Sequence, residues 1–144
     1  MAEARHAAPH VFPVRVYYED TDAGGMVYHA NYLRFAERAR TEYLRSVGTD
    51  HTSLLADDGI AFTVRQCTVD FLRPARLDDA LEVHTRFLEV RGASLSAEQV
   101  VRREADEIAR LVVRLACIDA TGHPRRLPKT LRDAFAESAG GGRQ

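Results

Sequence analysis

Residues 16–32 read VYYEDTDAGGMVYHANY, and this stretch predicts both the central helix of the fold and a candidate reaction centre. It passes from an apolar strand, predicted at residues 14–18, through two acids and two glycines into a helix. Asp22 and His29 therefore lie just before the helix N-terminus, where backbone N–H groups lack intrahelical partners and the dipole is positive. A base held beside a carbonyl whose oxygen faces such donors is suited to acyl transfer to water.

The helix is predicted over residues 30–47, with Gly48 as its C′ residue. At about 100° per residue, its apolar side chains cover roughly half of the circumference, which predicts a helix wrapped by other elements. The members of this arc are Tyr32, Leu33, Phe35, Ala36, Ala39, Tyr43, Leu44 and Val47. Arg40 also falls in the arc, so we predict that it pairs with Glu37 or reaches a partner subunit. Glu37 could instead contact the active site across that interface.

After a short helical turn at residues 52–57, the apolar pattern becomes that of strands. Strands are predicted at residues 60–71, 80–90, 94–103 and 108–118, of which the third would also suit a helix. The order of one strand, one long helix and four strands predicts an α+β hot-dog fold: a curled antiparallel sheet of about five strands around one long central helix. The open sheet edges predict a dimer with a continuous sheet.

The composition is that of a single globular domain, residues 1–144, with a flexible arm at residues 1–10 and a flexible tail at residues 137–144. Net charge is −1, which does not favour nucleic acid as a partner. The chain has no apolar run of membrane-spanning length and no secretory h-region, so we predict a cytoplasmic protein without an integral membrane segment. Cys67 and Cys117 are predicted as buried free thiols.

Five blocks of the sequence resemble one family, the hot-dog acyl-CoA thioesterases associated with the Tol–Pal system, within the wider 4-hydroxybenzoyl-CoA thioesterase group. The blocks are residues 16–32, 37–42, 71–79, 91–95 and 127–129. The resemblance covers residues 13–135, although Met26 stands where relatives usually carry Val or Ile. It implies an acyl-CoA thioester hydrolase that forms a homodimer or a dimer of dimers (a homotetramer) and needs no metal or redox cofactor, coenzyme A being part of the substrate.

The resemblance implies that Asp22 acts on the thioester carbonyl, either as a nucleophile that forms a mixed anhydride or as a base that activates water. The alternative is that Asp22 only stabilises a turn or caps the helix. His29 is implied to orient water or to shuttle a proton, and the alternative is a histidine with satisfied hydrogen bonds at the subunit interface. Asp20 is predicted to support the site rather than to act in catalysis.

Backbone N–H groups at residues 28–30 are the candidate oxyanion donors, and Gly24 and Gly25 would let the chain turn sharply beside the substrate. The residues predicted to bind substrate are Gly25, Val27, Tyr28, Ala30, Tyr32, Arg91 and Ser94. Arg91 and Ser94 would contact the phosphates of coenzyme A, with Lys129 and residues 125–126 as alternatives. Taken singly, each of these basic groups is equally typical of a solvated surface.

Two other functions stay open at this point. An acyl-carrier-protein thioesterase would run the same chemistry on a protein-bound substrate, and a non-catalytic acyl-binding or scaffold protein would use the fold for contacts at the cell envelope. A serine hydrolase is disfavoured because the chain lacks a G-x-S-x-G elbow. The histidines show no metal-ligand spacing. The sequence predicts no preference for acyl length.

Overall fold

Antiparallel strands form most of the fold, and the computed structural model describes them within residues 8–140. The strands are β1 (His10–Arg15), β2 (Ala61–Phe71), β3 (Ala80–Arg91), β4 (Ser94–Arg103) and β5 (Asp106–Ile118). They form one sheet in the order β1-β3-β4-β5-β2. The helices are α1 (Asn31–Ser46), α2 (His51–Ser53), which continues as a π-helical turn (Leu54–Asp58), and α3 (Lys129–Ser138). The predicted hot-dog fold is confirmed.

Helix α1 has 16 residues and packs its apolar arc against the inner face of β1, β3 and β4. Phe35, Ala36 and Ala39 are fully buried in this contact. Gly48 follows the helix with a φ of 95°, which is the left-handed conformation expected of a C′ glycine. On β2, by contrast, Val64 and Phe71 are 48% and 52% exposed, so the apolar surface that this strand presents beside α1 is partly uncovered in this chain.

Strand β2 lies at one edge of the sheet, where it pairs with β5 alone. Its register against β5 shifts between Val64 and Gln66, so Arg65 is an extra residue in a β-bulge. The bulge changes which residues face inward: Phe62 and Val64 precede it on the inner face, and Cys67, Val69 and Phe71 follow it on that face. Without the extra residue, strict alternation would turn one of these two groups outward.

One predicted strand is corrected by the structure, and one helix was missed. The first strand spans His10–Arg15 and not residues 14–18, because the chain leaves the sheet and forms a 3-10 turn at Tyr18–Asp20. Helix α3 was not predicted from the sequence. The strand predicted at residues 94–103 is confirmed, although its composition also suits a helix.

Parts of the predicted arm and tail are ordered elements. His10 begins β1, and the last residues of α3 lie within the predicted tail. Residues 1–7 and 141–144 lie outside the described part of the chain. Within residues 8–140, no helix combines the length and the apolar character needed to cross a bilayer.

Arg40 does not pair with Glu37 in this chain, and its contact with a partner subunit stays a prediction. Its guanidinium donates to Gln99 Oε1 at 2.9 Å, and Gln99 Nε2 donates in turn to the Ala36 carbonyl and to Thr85 Oγ1, both at 2.9 Å. Gln99 and Thr85 are fully buried. Burial lowers the pKa of Arg40, and the nearby Glu37 carboxylate acts in the opposite direction. The predicted pairing with Glu37 is wrong because a buried acceptor from β4 lies within reach of the guanidinium.

Both cysteines are free thiols, as predicted. Cys117 is buried, whereas Cys67 on β2 is half-buried. Desolvation raises the pKa of each thiol, so both favour the protonated, unreactive form.

Candidate active site

The loop that joins β1 to α1, residues 16–30, is held against residues 75–79, which lead into β3. Val16 N donates to the Asp79 carbonyl at 2.9 Å, and Asp78 N donates to the Val16 carbonyl at 3.0 Å. Val27 N donates to the Ala75 carbonyl at 2.8 Å. These bonds fix the loop at both of its ends, so the side chains between them are presented from a rigid base.

Asp20 joins the loop to the start of α1. Its side chain is 3% exposed, and its two carboxylate oxygens accept from Tyr17 N and from Asn31 Nδ2, each at 2.8 Å. Its carbonyl accepts from Tyr28 N at 2.9 Å. With both carboxylate oxygens engaged away from solvent, Asp20 has the supporting role that the sequence predicts. Asn31 was not singled out from the sequence, since its partner lies eleven residues away.

Asp22 lies at the exposed tip of the same loop. Its Oδ1 accepts from Gly24 N at 2.9 Å and from Met26 N at 3.3 Å, while its backbone N–H donates to the Met26 carbonyl at 2.8 Å. Within residues 8–140, Oδ2 accepts no hydrogen bond. The turn-forming function and a chemical function are therefore compatible: one oxygen orients the carboxylate, and the other keeps free lone pairs.

Gly25 gives the turn its shape. Its φ is 79°, in the left-handed region that side chains disfavour, and its N–H donates to the Asp22 carbonyl at 3.1 Å. No atom lies within 4 Å of the position that a Cβ would take, so the site demands glycine for its backbone conformation and not for space.

His29 is exposed and lies among aromatic rings. Its ring centroid is 4.5 Å from that of Tyr28 and 6.1 Å from that of Phe71 at the end of β2. Within the described residues its ring nitrogens form no hydrogen bond, so they are available to water or to substrate in this chain. Phe71 was not identified from the sequence as a neighbour of His29, although it opens one of the blocks on which the family resemblance rests.

Of the three backbone N–H groups predicted at residues 28–30 as oxyanion donors, two remain available. Tyr28 N is already bonded to the Asp20 carbonyl, so that N–H is not available to a substrate. The N–H groups of His29 and Ala30 have no acceptor within residues 8–140, and both lie at the positive end of α1. These two amides are the donors that a developing oxyanion could use.

The residues predicted to bind substrate divide into a surface group and a buried group. Gly25, Tyr28 and Ala30 lie at or near the surface of the loop. Val27 and Tyr32 are 6% and 4% exposed, and the Tyr32 hydroxyl accepts from Ala75 N at 3.2 Å. In this chain these two side chains support the loop from within the core, and their contact with a substrate stays a prediction.

Arg91 and Ser94 do not share a site with Asp22 in the same chain. The 16–30 loop packs near Ala80, where β3 begins, whereas Arg91 ends that strand and Ser94 begins the next. Eleven residues of strand correspond to a separation on the order of 35 Å before curvature is considered. Arg91 bonds to Glu89 at 2.9 Å.

The surroundings of Arg91 and Ser94 are nevertheless basic and polar. A shallow depression on the sheet contains both residues together with Arg65 and Arg114, which were not identified from the sequence. The alternative basic residue Lys129 is engaged with Asp133 at 2.8 Å on α3. The depression thus collects three guanidinium groups and one carboxylate, which is a composition suited to phosphate oxygens.

Replacing Asp20 by alanine is expected to lower both stability and activity. The substitution leaves the Tyr17 N–H and the Asn31 amide without their buried acceptors, at a cost of about 2 kcal/mol. Because the same bonds fix the loop that carries Asp22, any activity should fall at least about tenfold. Chemical denaturation and steady-state kinetics measure the two effects. Asp106→Ala, at the exposed first residue of β5, is the matched control, and an Asp20→Ala protein as stable as that control would contradict the role given to Asp20.

Comparison with known proteins gives a consistent result. Residues 16–136 match the model of the thioesterase-like superfamily. The acyl-CoA thioesterase YbgC of Haemophilus influenzae is 47% identical over 125 residues, which are 86% of this chain and 92% of that protein. The acyl-CoA thioester hydrolase YbgC of Escherichia coli O6:H1 is 46% identical over 128 residues, 88% of this chain and 95% of that protein.

The similarity extends to solved structures. A probable thioesterase from Bartonella henselae superposes with a TM-score of 0.82 at 41% sequence identity, covering 84% of this chain and all of that one. The span of the family model takes in the 16–30 loop, α1 and the four strands that follow.

Proposed function

This chain belongs to the thioesterase-like superfamily, and from that premise we propose that it hydrolyses acyl-CoA thioesters with Asp22 as its catalytic carboxylate. Its relatives from H. influenzae and E. coli are named as acyl-CoA thioester hydrolases, and this chain is a hydrolase of that class. The observation that supports Asp22 is the unpaired Oδ2 of an exposed carboxylate whose Oδ1 is fixed by Gly24 and Met26.

Two routes use the same oxygen. As a base, Oδ2 removes a proton from water while the water oxygen bonds to the thioester carbon. The C–S bond then breaks, and the coenzyme A thiolate leaves and is protonated. As a nucleophile, Oδ2 itself bonds to the carbon and expels the thiolate, and water then hydrolyses the mixed anhydride. In either route His29 orients the water or carries the proton, since its ring nitrogens are unengaged in the chain described.

The N–H groups of His29 and Ala30 would bind the carbonyl oxygen as it acquires charge. Both are fixed before the reaction begins, because the loop and α1 hold them in place. Such donors need no reorganisation, and one of them contributes roughly 3–4 kcal/mol to transition-state stabilisation in other enzymes. The reaction requires no metal and no redox cofactor in this scheme.

We propose that the active form is a homo-oligomer, a dimer or a dimer of dimers. Asp22 and His29 are exposed in the single chain, so water is not excluded from the reacting carbonyl. The unpaired edge of β2 and the apolar surface beside α1 are both suited to a second copy. Arg91 and Ser94 lie at the end of β3 opposite to the loop that carries Asp22, so in the proposed oligomer they would bind the coenzyme A of a substrate held by the other copy.

The proposed oligomer predicts the mass of the particle in solution. A chain of 16.1 kDa should give a particle of 32.2 kDa as a dimer (2 × 16.1) or 64.4 kDa as a tetramer (4 × 16.1) in light scattering after size exclusion. A particle of 16.1 kDa that is fully active at nanomolar concentration would contradict the need for a second copy.

A cytoplasmic location is part of the proposal, supported by the two free thiols, which are typical of a reducing compartment. An acyl-carrier-protein thioesterase is the alternative enzyme, with the same loop facing a protein-bound acyl group. A non-catalytic acyl-binding or scaffold protein of the cell-envelope Tol–Pal system is the alternative outside catalysis.

Thiol release from matched acyl groups separates these three functions. The wild-type protein is assayed with the same acyl chain on coenzyme A and on acyl carrier protein. Faster release from coenzyme A supports the proposal, and faster release from the carrier protein supports the alternative enzyme. No release above the spontaneous rate from either donor would favour the scaffold and overturn the proposed function.

A further inference from the structure

The 16–30 loop rests on residues 74–79, which we call the support segment. Ala75 in this segment is fully buried, and both of its backbone groups are engaged. Its N–H donates to the Tyr32 hydroxyl at 3.2 Å, and its carbonyl accepts from Val27 N at 2.8 Å. Val27 lies in the part of the loop that leads to the two available oxyanion donors. A displacement of the support segment would therefore displace those donors as well.

A second set of contacts joins the support segment to the turn that carries the candidate catalytic carboxylate. Met26 forms an isolated antiparallel β-bridge with Arg76. Leu77 N donates to the Gly25 carbonyl at 3.4 Å. Gly25 and Met26 belong to the turn that orients the Asp22 side chain, since Met26 N donates to Asp22 Oδ1 at 3.3 Å. The support segment thus contacts the loop on the carboxylate side as well as on the amide side.

The support segment ends in a turn that one carboxylate closes. Asp79 N donates to the Arg76 carbonyl at 3.1 Å, and Arg76 N donates back to Asp79 Oδ2 at 2.8 Å. Asp78, inside this turn, has a φ of 73°, a left-handed conformation that residues other than glycine rarely adopt. Such a conformation persists only where the surrounding bonds hold it, so the turn depends on the Asp79 carboxylate.

Arg103, at the end of β4, fixes this turn to the sheet. Its Nη1 donates to Asp79 Oδ2 at 2.8 Å and to the Pro74 carbonyl at 3.2 Å, so one nitrogen holds both ends of the support segment. The side chains of Arg103 and Asp79 are 31% and 25% exposed. Because an accessible ion pair contributes little to global stability, its contacts indicate a local function at the segment on which the loop rests.

We propose that Arg103 and Asp79 are positioning residues for thioester hydrolysis. Their ion pair holds the support segment, and through it the Asp22 carboxylate and the two available amides, in a fixed mutual geometry. Both residues act through the backbone of the loop and not on the reacting atoms. A misplacement of about 1 Å can lower a rate about 10²-fold, so a remote ion pair can control turnover. This inference rests on the proposed function, because it concerns the geometry of the residues to which that function is assigned.

Arg103→Met should lower kcat for acyl-CoA hydrolysis at least about tenfold and change KM by less than about threefold. KM should be preserved because the proposed phosphate contacts, at Arg91 and Ser94, do not involve the support segment. Arg102→Met is the matched control, since the Arg102 side chain is 30% exposed and pairs with Glu107 at 3.6 Å. It also loses one accessible ion pair, so it should lower Tm by a similar amount and leave kcat unchanged.

Conservative variants separate positioning from a general loss of structure. Arg103 uses one nitrogen for both bonds, so the ammonium group of Arg103→Lys can replace it and should keep kcat within about threefold of the wild type. Asp79→Asn keeps a side-chain oxygen for Arg76 N, whereas Asp79→Ala removes it. Asp79→Ala should therefore lose at least about tenfold in kcat, and Asp79→Asn should lose less. An Arg103→Met enzyme with the kcat of Arg102→Met would overturn the inference while leaving thioester hydrolysis intact.

Hydrogen exchange tests the positioning without turnover. In the wild type, the Val27 N–H is protected by its bond to the Ala75 carbonyl. Arg103→Met should raise the exchange rate of this N–H at least about tenfold, whereas Arg102→Met should not. If no thioester is hydrolysed and this contrast is observed, the proposed function fails while the hold of the ion pair on the loop stands. If the Val27 N–H exchanges equally fast in the two variants, that hold is excluded, whether or not the protein is a hydrolase.

Discussion

Replacing Asp22 by asparagine is expected to lower kcat/KM for acyl-CoA hydrolysis by a factor of about 10³ or more. The amide keeps the side-chain oxygen that accepts from Gly24 and Met26, so the turn should persist. In place of the unpaired Oδ2, however, it presents an NH₂ group, which can neither accept a proton nor attack a carbon. General-base and nucleophilic catalysis both require the lost lone pair, and loss of a base alone typically costs 10²–10⁴ in rate.

Two controls accompany this experiment: the Asp20→Asn variant and a measurement of the free energy of unfolding of Asp22→Asn. Thermal unfolding of Asp22→Asn should agree with the wild type within about 0.5 kcal/mol, because the substituted atom is exposed and forms no bond within residues 8–140. Asp20→Asn should instead lose stability, since both of its buried oxygens accept hydrogen bonds. Thioester hydrolysis at the wild-type rate by a folded Asp22→Asn protein would exclude Asp22 as the catalytic carboxylate.

Replacing Gln99 by methionine is expected to destabilise the protein by about 3 kcal/mol, through loss of three hydrogen bonds and of the partner of a desolvated guanidinium. Methionine has a similar volume, so little of the effect should come from a cavity. For a domain of this size, the loss corresponds to a fall in Tm of about 10 °C. Differential scanning calorimetry and urea unfolding measure it.

A double-mutant cycle with Arg40→Met isolates the contact between the two side chains. If the Gln99 amide and the Arg40 guanidinium act together, the double variant should be less destabilised than the sum of the single variants, by at least about 1 kcal/mol. Gln99→Met alone leaves the guanidinium without its acceptor, and Arg40→Met alone leaves Gln99 Oε1 without this donor, whereas the double variant leaves neither group unpaired. Strict additivity of the two single effects would show that Arg40 gains no stability from Gln99.

Local pattern was enough to predict most of the architecture. The period-2 segments at residues 60–71, 80–90, 94–103 and 108–118 became β2 to β5 with boundaries shifted by at most two residues. The long apolar arc of the central helix was likewise visible, because it follows from the spacing of residues within one element.

The errors arose where distant parts of the chain decide the outcome. Val14 and Val16 alternate as in a strand, but the pairing of β1 with β3 ends at Arg15. The strand extends instead toward the N-terminus, as far as His10, and it includes Pro13 because β1 lies at an edge of the sheet. Helix α3 has only two buried anchors, Leu131 and Phe135, so its apolar pattern is too short to stand out.

The same distinction holds at the candidate site. The position of Asp22 before the helix is a local property, and the sequence indicated it directly. That Tyr28 N would be occupied by the Asp20 carbonyl is a tertiary result, because the loop must close on itself before that bond can form. Gln99 lies 59 residues from Arg40, so its role as the partner of the guanidinium had no local signal.

The open edge of β2 has a consequence for the protein in the cell. Eleven residues of backbone, several with apolar side chains, form a template onto which any extended polypeptide could add. A newly made chain whose β2 edge is unpaired is therefore exposed to aggregation, and that hazard grows with the time that the edge stays uncovered. Substitutions in β2 should therefore be selected for their effect on the yield of folded protein when expression is low, even at positions that have no effect on turnover.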